Sequence, residues 1–471
     1  MRNIETDICV IGAGAGGLSV ASGAVQMGAR VVLVEAGEMG GDCLNYGCVP
    51  SKALLSAAAR AQNMRKGGLG TAAHAPEIDF QAVMAHVKDV IAGIAPHDSQ
   101  ERFEGLGVEV IRDFGKFIDA KTLQAGDVTI TARRFVIATG SSAFVPPIEG
   151  LSHVPYLTNE TLFEVEELPQ HLMILGAGPI GLEMAQAFRR LGSEVTVIEG
   201  FKALGRDDPD AAKVVLSALR EEGVTILEEN LAAKVTGQAG EITVETNTGA
   251  VIEGSHLLVA VGRRANIAGL DLEKAGIATE HGRIRVDDTL RSDNKKIYAI
   301  GDVSSAMQFT HVAGYQAGVA IRGLLFGVPA KAREDHIPRV TYTSPELAAV
   351  GLSEEEARVT FGDALQVFKV DLADNDRARA EGISTGFGKL FVVKGRPVGA
   401  LIVGAGAGDM IDVWALAIAS KLKLTAIAGM IAPYPTKGEL NKRLASAYFT
   451  PKIFDSNMVK TIVRFVQKWI P

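Results

Sequence analysis

The chain has 471 residues, more than one hydrophobic core usually holds, and its 47% hydrophobic and 22% charged residues are an ordinary globular composition. A net charge of −7 and the lack of a long basic run argue against nucleic-acid binding. The sequence has three cysteines and shows no leader or apolar run of membrane-spanning length. We therefore expect a cytoplasmic protein rather than a secreted, disulfide-stapled or membrane-embedded one.

The first predicted element is a buried parallel strand at residues 8–11, followed by a glycine-rich turn and a small-residue helix. The turn carries Gly12, Gly14 and Gly17 in a G-x-G-x-x-G pattern, and Glu35 stands at the end of the next apolar strand. Such glycines let a helix N-terminus approach a pyrophosphate, and the carboxylate can accept hydrogen bonds from ribose hydroxyls. This pattern predicts a dinucleotide site.

The same pattern recurs in the middle of the chain. Gly176, Gly178 and Gly181 follow a second apolar strand, and Glu199 lies 23 residues after the first glycine, the spacing that separates Gly12 from Glu35. Two unrelated glycine-rich turns would not be expected to share this spacing. The repeat therefore favours two nucleotide-binding units.

Two dinucleotide sites in one chain suggest a tightly held flavin and an exchanging nicotinamide. Glu199 favours NADH as the second nucleotide, because a carboxylate repels the 2′-phosphate of NADPH. Lys202 and Arg206 follow closely in sequence and keep NADPH open as an alternative.

Cys43 and Cys48 lie after the first unit, directly before a Pro-Ser-Lys segment at residues 50–52. A structural zinc ion would need about four Cys or His ligands, and no second ligand pair is nearby, so we expect no metal site. Two inert buried thiols are the other alternative. Against it, residues 50–52 are typical of a helix start, and the helix N-terminus together with Lys52 would favour a thiolate.

At these residues the chain resembles the pyridine nucleotide-disulfide oxidoreductases, a family that includes dihydrolipoamide dehydrogenase, glutathione reductase and mercuric reductase. The family signature G-G-x-C-x-x-x-x-C-x-P-S-K matches residues 40–52 without a gap. Further segments that resemble the family lie at residues 138–140, 261–263, 301–302 and 338–346.

The resemblance implies that Cys48 is the thiolate against the flavin and that Cys43 is the outer thiol that meets the substrate. It implies that Lys52, paired with Glu183, lies beside the reactive flavin nitrogen, and that Asp302 bonds the ribityl chain of FAD. It also implies FAD and NAD(H), or NADP(H), as cofactors. Further cofactor contacts are expected at Gly115, Thr139, Gly140, Phe309, Thr310, His311, Ile180 and Gly262.

The chain departs from the family near its C-terminus. Disulfide-reducing members carry a His-Pro segment there, with a glutamate five residues later, and this pair reaches across from the other subunit. Here Tyr434 stands in place of the histidine, while Glu439 keeps the glutamate. Tyrosine, with a pKa of about 10, is a poor base at neutral pH. Efficient turnover of lipoamide or glutathione disulfide is therefore not expected.

The substrate stays open between a small disulfide or thiol, a metal ion and a quinone. Tyrosine at this position and the segment at residues 374–378 resemble mercuric reductase, but the vicinal C-terminal cysteine pair of that enzyme is missing from this sequence. Alternatives are an NADH oxidase or diaphorase in which the cysteines only tune the flavin, and a flavoprotein binding module with vestigial chemistry.

The last predicted element is an amphipathic helix after residue 456, with Lys460, Arg464 and Lys468 opposite an apolar stripe. It either packs on the dimerisation domain or contacts a membrane or a partner protein.

We predict an α/β fold of three parts. A flavin domain takes residues 1–150 and 270–337, and a nicotinamide domain, also Rossmann-like, takes residues 151–269. An α+β dimerisation domain at residues 338–471 is expected to form a homodimer.

Overall fold

The computed structural model describes residues 2–328 and 330–470. They form two compact units. The first comprises the chain up to Gly200 together with Val224–Arg333, and the second comprises Phe201–Gly223 and the chain from Glu334 onward. The predicted division into three domains is finer than these two units and stays a prediction.

The strands and α-helices are numbered in chain order. The strands are β1 (Arg2–Ile11), β2 (Val31–Val34), β3 (Glu109–Ile111), β4 (Gly115–Asp119), β5 (Thr122–Ala125), β6 (Val128–Ile137), β7 (Ser141–Ala143), β8 (His171–Leu175), β9 (Glu194–Ile198), β10 (Thr225–Leu227), β11 (Ala232–Gln238), β12 (Glu241–Thr246), β13 (Val251–Gly254), β14 (His256–Val259), β15 (Arg263–Ala265), β16 (Thr279–Glu280), β17 (Arg283–Ile284), β18 (Ile297–Ala299), β19 (Pro338–Thr341), β20 (Glu346–Gly351), β21 (Leu365–Asp371), β22 (Phe387–Val393) and β23 (Arg396–Gly404). The helices are α1 (Ala15–Gln26), α2 (Gly41–Asn45), α3 (Cys48–Lys66), α4 (Phe80–Ile94), α5 (Gln100–Gly105), α6 (Asn159–Leu162), α7 (Pro179–Leu191), α8 (Pro209–Glu221), α9 (Thr310–Phe326), α10 (Glu354–Phe361), α11 (Asp376–Ala380), α12 (Ala407–Met410), α13 (Asp412–Ala419), α14 (Leu424–Ala428), α15 (Glu439–Ala447), α16 (Thr450–Phe454) and α17 (Asn457–Trp469).

The larger sheet of the first unit has the strand order β3-β2-β1-β6-β5-β4, and β18 also pairs with β6. Strands β1, β2, β3, β6 and β18 pair in parallel, while β4 and β5 form an antiparallel edge. Residues 8–11 of β1 are buried on both faces, as their continuous apolar run predicts. Helix α1 makes the crossover from β1 to β2, and this arrangement places the first glycine-rich turn at the carboxyl end of β1.

The second sheet of the first unit is parallel throughout, with the order β10-β9-β8-β14. Helix α7 connects β8 to β9, so the second glycine-rich turn also lies at the carboxyl end of a central strand. Strands β11, β12 and β13 form a separate antiparallel meander. The parallel sheets with crossover helices confirm the predicted α/β class.

The second unit is built on an antiparallel sheet of order β19-β20-β23-β22-β21. Its core contains the fully buried Trp414, whose Nε1 donates a hydrogen bond to Asn441 Oδ1 at 2.7 Å. Lys389 of β22 pairs with Asp208 and Asp210 at the start of α8, both at 2.8 Å. This ion-pair group attaches α8 to the sheet. Across the described parts of the chain, every helix is too short or too polar to cross a bilayer.

Candidate active site

The first glycine-rich turn joins β1 to α1. Gly12 has a φ of +104°, and a Cβ there would lie 2.4 Å from the carbonyl oxygen of Ala138. A Cβ on Gly17 would lie 1.9 Å from the carbonyl oxygen of Gly12, whereas a Cβ on Gly14 would meet nothing within 4 Å. The packing of the protein therefore requires glycine at positions 12 and 17. Gly14 instead faces open space at the N-terminus of α1, which fits the close approach of a pyrophosphate.

The second turn repeats this arrangement between β8 and α7. Gly176 has a φ of +103°, and a Cβ on Gly181 would lie 2.0 Å from the carbonyl oxygen of Gly176. Gly178 again has nothing within 4 Å of its Cβ position and precedes the first turn of α7, where Ile180 is 44% exposed. The geometry fits a second dinucleotide.

In each of the two strand–turn–helix–strand motifs, a glutamate directly follows the second strand. Glu35 accepts hydrogen bonds from the backbone N–H groups of Ala13 and Gly37, the latter at 2.6 Å. Glu199 accepts one from the N–H of Ala177 at 2.8 Å. Each carboxylate thus lies directly beside its own glycine-rich turn, where the ribose of a dinucleotide would be bound.

Other predicted cofactor residues of the first unit lie on loops or, in one case, at the start of a strand. The hydroxyl of Thr139 donates to the carbonyl oxygen of Asn266 at 2.7 Å, and Gly140 has a φ of +66° with open space at its Cβ position. Gly262 has a φ of +135° and is open in the same way. Gly115 is the first residue of β4, and a Cβ there would press on Leu123 at 3.0 Å.

Asp302 lies in a polar network that could not be foreseen from the sequence. Ser141 donates to its carboxylate, and Arg263 donates to the hydroxyl of Ser141 at 2.8 Å. Arg263 also pairs with Asp42 at 2.9 Å, one residue before Cys43. Burial raises the pKa of Asp302 above its ordinary value. The V-G-R segment at residues 261–263 was the available signal for Arg263, but sequence alone indicated no partner for it.

The three residues Phe309, Thr310 and His311 lie at the start of α9. The rings of Phe309 and His311 stack with centroids 5.2 Å apart and planes 11° apart. The hydroxyl oxygen of Thr310 lies 3.3 Å from Cys48 Sγ. Helix α9 therefore places a hydrogen-bonding group against the cysteine pair.

The cysteine pair lies on two consecutive helices, with Cys43 inside α2 and Cys48 as the first residue of α3. Both are free thiols, Cys48 is exposed and Cys43 is half-buried. A hydrogen bond from Cys43 lowers the pKa of Cys48 to about 6, and Thr310 and Lys52 act in the same direction. The same hydrogen bond raises the pKa of Cys43. In the dithiol form, this hydrogen bond favours Cys48 over Cys43 as the charged member of the pair.

Lys52 lies one turn after Cys48 on α3, and its Nζ is 2.7 Å from Glu183 Oε2 on α7. The side chain of Glu183 is 5% exposed and that of Lys52 is 38% exposed. The predicted pair is therefore formed, and it orients a cation close to the thiolate.

A cavity of about 350 Å³ borders Cys43 and Thr310. Its other ionisable lining residues are Asp98 and Arg102, and burial raises the pKa of Asp98. The cavity also borders Ala15 in the first turn of α1, so part of it fits the first dinucleotide. Asp98 was not identified from the sequence, since it lies on a connecting segment without a motif.

Tyr434 and Glu439 lie in the second unit. The hydroxyl of Tyr434 donates to Asp376 Oδ2 at 3.1 Å, and this bond raises the pKa of Tyr434 above its ordinary value of 10.0. Glu439 is the first residue of α15 and bonds Arg443 at 3.3 Å, while its Oε2 is buried without a hydrogen-bond partner in residues 2–328 and 330–470. The hydrogen bond to Asp376 therefore makes Tyr434 a still poorer base than an ordinary tyrosine.

Two family models match the chain. The model of the pyridine nucleotide-disulphide oxidoreductases matches residues 6–317, and the model of the dimerisation domain of the same proteins matches residues 337–445. The chain belongs to the pyridine nucleotide-disulphide oxidoreductase family. It is an FAD-dependent enzyme of the mercuric reductase and lipoamide dehydrogenase type that uses NAD(P)H, and its dimerisation domain supports a homodimer.

Curated relatives cover nearly the whole chain. A mercuric reductase of Streptomyces lividans is 35% identical over 461 residues, which are 95% of this chain and 97% of that protein. A dihydrolipoyl dehydrogenase of Staphylococcus aureus is 35% identical over 455 residues, 94% of this chain and 96% of that protein.

Solved structures agree with this assignment. The Cu(II) complex of the HOCl-induced flavoprotein disulfide reductase RclA from Escherichia coli has a TM-score of 0.84 at 28% identity, covering 93% of this chain and 99% of that one. LpdA from Mycobacterium tuberculosis has a TM-score of 0.85 at 27% identity, and the match covers 94% of this chain and 99% of that one.

Proposed function

We propose that this enzyme passes electron pairs from NADH through FAD, first to reduce the Cys43–Cys48 pair and then to reduce a thiophilic metal ion that the reduced pair binds as substrate. The observation that carries the choice of substrate is Tyr434. Its hydroxyl donates to Asp376, which raises its pKa further above neutrality, at the position where the family resemblance expects a histidine. An acceptor that needs little proton transfer fits such a site better than a disulfide or dithiol does.

FAD, when bound, supplies the ring that takes hydride from the nicotinamide and passes electron pairs to the disulfide. In this proposal Gly12, Gly14, Gly17 and Glu35 hold its dinucleotide part. The other flavin contacts are assigned to Gly115, Thr139, Gly140, Asp302, Phe309, Thr310 and His311.

The nicotinamide nucleotide is assigned to the second turn. Gly176, Gly178 and Gly181 would admit its pyrophosphate, with Ile180 on the same turn and Gly262 on the loop after β14. The preference for NADH rests on the carboxylate of Glu199.

The cysteines have separate roles in this proposal. Cys48 is assigned to the flavin side, because its Sγ lies 3.3 Å from the hydroxyl of Thr310, which is one of the proposed flavin contacts, and the hydrogen bond from Cys43 lowers its pKa. Cys43 is assigned to the substrate, which is the role that the family resemblance implies for the first cysteine of the signature. Lys52, held by Glu183, stabilises negative charge beside Cys48.

The electron balance of this reaction requires no proton transfer by Tyr434. One NADH and one proton from solvent first reduce the disulfide to two thiols. The deprotonated pair then binds a divalent ion, and a second NADH supplies two electrons, so that NADH and M²⁺ give NAD⁺, H⁺ and M⁰ with the thiolates unchanged. For Cu(II), one NADH would reduce two ions to Cu(I). The names of the mercuric reductases and of the Cu(II) complex of RclA support an ion of this class.

The experiment is anaerobic NADH oxidation by the FAD-loaded enzyme with Hg²⁺, Cu²⁺, lipoamide, glutathione disulfide or a quinone as acceptor. We expect turnover with a metal ion in the presence of excess thiol, and its loss in Cys48→Ser and Cys43→Ser. Brisk lipoamide turnover would overturn the metal-ion proposal. Quinone or oxygen turnover that survives in Cys43→Ser would point to a diaphorase. A cellular phenotype that survives Cys48→Ser would point to a binding module.

The cytoplasmic location expected from the sequence stays a prediction. So does the contribution of Tyr434 and Glu439 to the site of the other subunit in the homodimer.

A further inference from the structure

Helix α17 (Asn457–Trp469) has no buried residue. Met458 is 71% exposed, Phe465 is 59% exposed and Trp469 is 65% exposed. The apolar side chains of this helix are therefore exposed in the single chain, and its packing on the dimerisation domain stays a prediction. The family model of that domain ends at residue 445, so α17 also lies outside the matched dimerisation domain.

The apolar side chains of this segment share one face. At 100° per residue they fall within an arc of about 160°, which is wide enough for the whole apolar face of a surface-bound helix. They are Met458, Val459, Ile462, Val463, Phe465, Val466, Trp469 and Ile470.

The opposite face is basic. Lys460, Arg464 and Lys468 lie on it, and residues 457–469 contain no Asp or Glu, although the chain as a whole has a net charge of −7. The side chain of Lys468 lies over the Trp469 ring at 5.1 Å. Positive charge beside exposed apolar side chains is complementary to a surface with negative charge above an apolar layer.

We propose that α17 binds the surface of an anionic lipid bilayer, with its apolar face in the acyl boundary and its three basic residues at the headgroups. The helix has 13 residues, so it is about 20 Å long and lies along the surface rather than across a core of about 30 Å. A second copy of α17 is a poorer occupant, because it would cover the apolar face but leave the three basic residues without a complementary charge.

The test uses full-length, FAD-loaded protein and vesicles of phosphatidylcholine alone or mixed with phosphatidylglycerol. We expect co-sedimentation with the anionic vesicles, weakened by 0.5 M salt, and little with the neutral ones. Trp469 emission should shift to shorter wavelength on binding, while Trp414 is fully buried and should not respond.

Matched variants separate the two faces. Phe465→Ser should abolish co-sedimentation, and Gln467→Ser on the polar face should leave it unchanged. Arg464→Gln should weaken it about fivefold, since a basic residue near an anionic surface contributes about that factor. Flavin content and circular dichroism check that each variant is folded.

Failure to sediment with anionic vesicles, or equal sedimentation with neutral ones, would overturn the proposal. The proposal would also be overturned if Phe465→Ser left vesicle binding unchanged and only reduced the oligomer size that light scattering measures without lipid. That result would assign the apolar face to a second copy of the chain.

Discussion

The ammonium of Lys52 lies 2.7 Å from the carboxylate of Glu183 and joins the helix that begins at Cys48 to the helix that follows the second glycine-rich turn. The two residues are 131 positions apart in sequence. This ion pair therefore fixes the position of α3, which carries Cys48, relative to α7, which follows the second glycine-rich turn.

The first prediction concerns this pair. Lys52→Met removes the cation beside a nearly buried carboxylate, and we expect a loss of about 1–3 kcal/mol in the free energy of unfolding. Glu183→Gln removes the buried charge itself and should cost less, about 1 kcal/mol or below. Urea unfolding followed by circular dichroism measures both. A larger loss in Glu183→Gln would contradict the assignment of Glu183 as the desolvated member.

The second prediction concerns the thiolate. In the reduced protein the alkylation rate of Cys48 should rise with pH through a midpoint near 6, because the thiolate is the reacting form. Cys43→Ala removes the hydrogen-bond donor, so the midpoint should move to higher pH, and Thr310→Val should move it in the same direction by a smaller amount. Peptide mapping after iodoacetamide at several pH values gives the midpoints.

Cys9→Ala is the matched control for this series. Cys9 is fully buried, and burial raises the pKa of its thiol, so its removal should leave the midpoint of Cys48 unchanged. An unchanged midpoint in Cys43→Ala would refute the hydrogen bond as the main cause.

The third prediction separates packing from cofactor binding among the glycines. Gly17→Ala would place a methyl group 1.9 Å from a carbonyl oxygen and should give unfolded or flavin-free protein. Gly14→Ala has room for the methyl group, so the variant should fold but lose flavin, because the methyl group takes the space of the pyrophosphate. Gly178→Ala should retain flavin and raise the KM for NADH. Absorbance at the flavin band and NADH kinetics report these outcomes, and full flavin occupancy in Gly14→Ala would count against the proposed site.

The fourth prediction concerns Tyr434. Tyr434→His introduces a group that titrates near neutrality, and lipoamide turnover at pH 7 should increase by about tenfold or more. Tyr434→Phe removes only a hydroxyl that is a poor base at neutral pH, so metal-ion turnover should stay within about twofold of the unmodified enzyme. Steady-state NADH oxidation with each acceptor measures both effects. A collapse of metal-ion turnover in Tyr434→Phe would show that the hydroxyl takes part in the reaction.

The sequence was sufficient for the features that depend on local spacing. Gly12 and Gly176 follow short apolar strands, so the strand, turn and helix around each could be predicted, and the structure has them at the carboxyl ends of parallel strands. The family resemblance likewise predicted the Lys52–Glu183 pair, which the structure contains.

Contacts between distant segments could not be predicted. The Thr310 hydroxyl that lowers the pKa of Cys48 comes from 262 residues away, and the Asp376 that holds Tyr434 from 58 residues away. These partners depend on how helices and loops pack in three dimensions. Whether α17 would be covered was also not encoded in its amphipathic pattern, because the same apolar face suits a protein core and a membrane surface.

The most direct test of the central claim is a count of thiols before and after anaerobic addition of NADH to the FAD-loaded enzyme, made with dithiobis-nitrobenzoate in denaturant. The oxidised protein should show one thiol, Cys9, and NADH should raise the count to three, the number of cysteines in the chain. Cys48→Ser should show the same count with and without NADH. If NADH is consumed and the flavin is reduced while the count does not change, Cys43 and Cys48 do not receive the electrons.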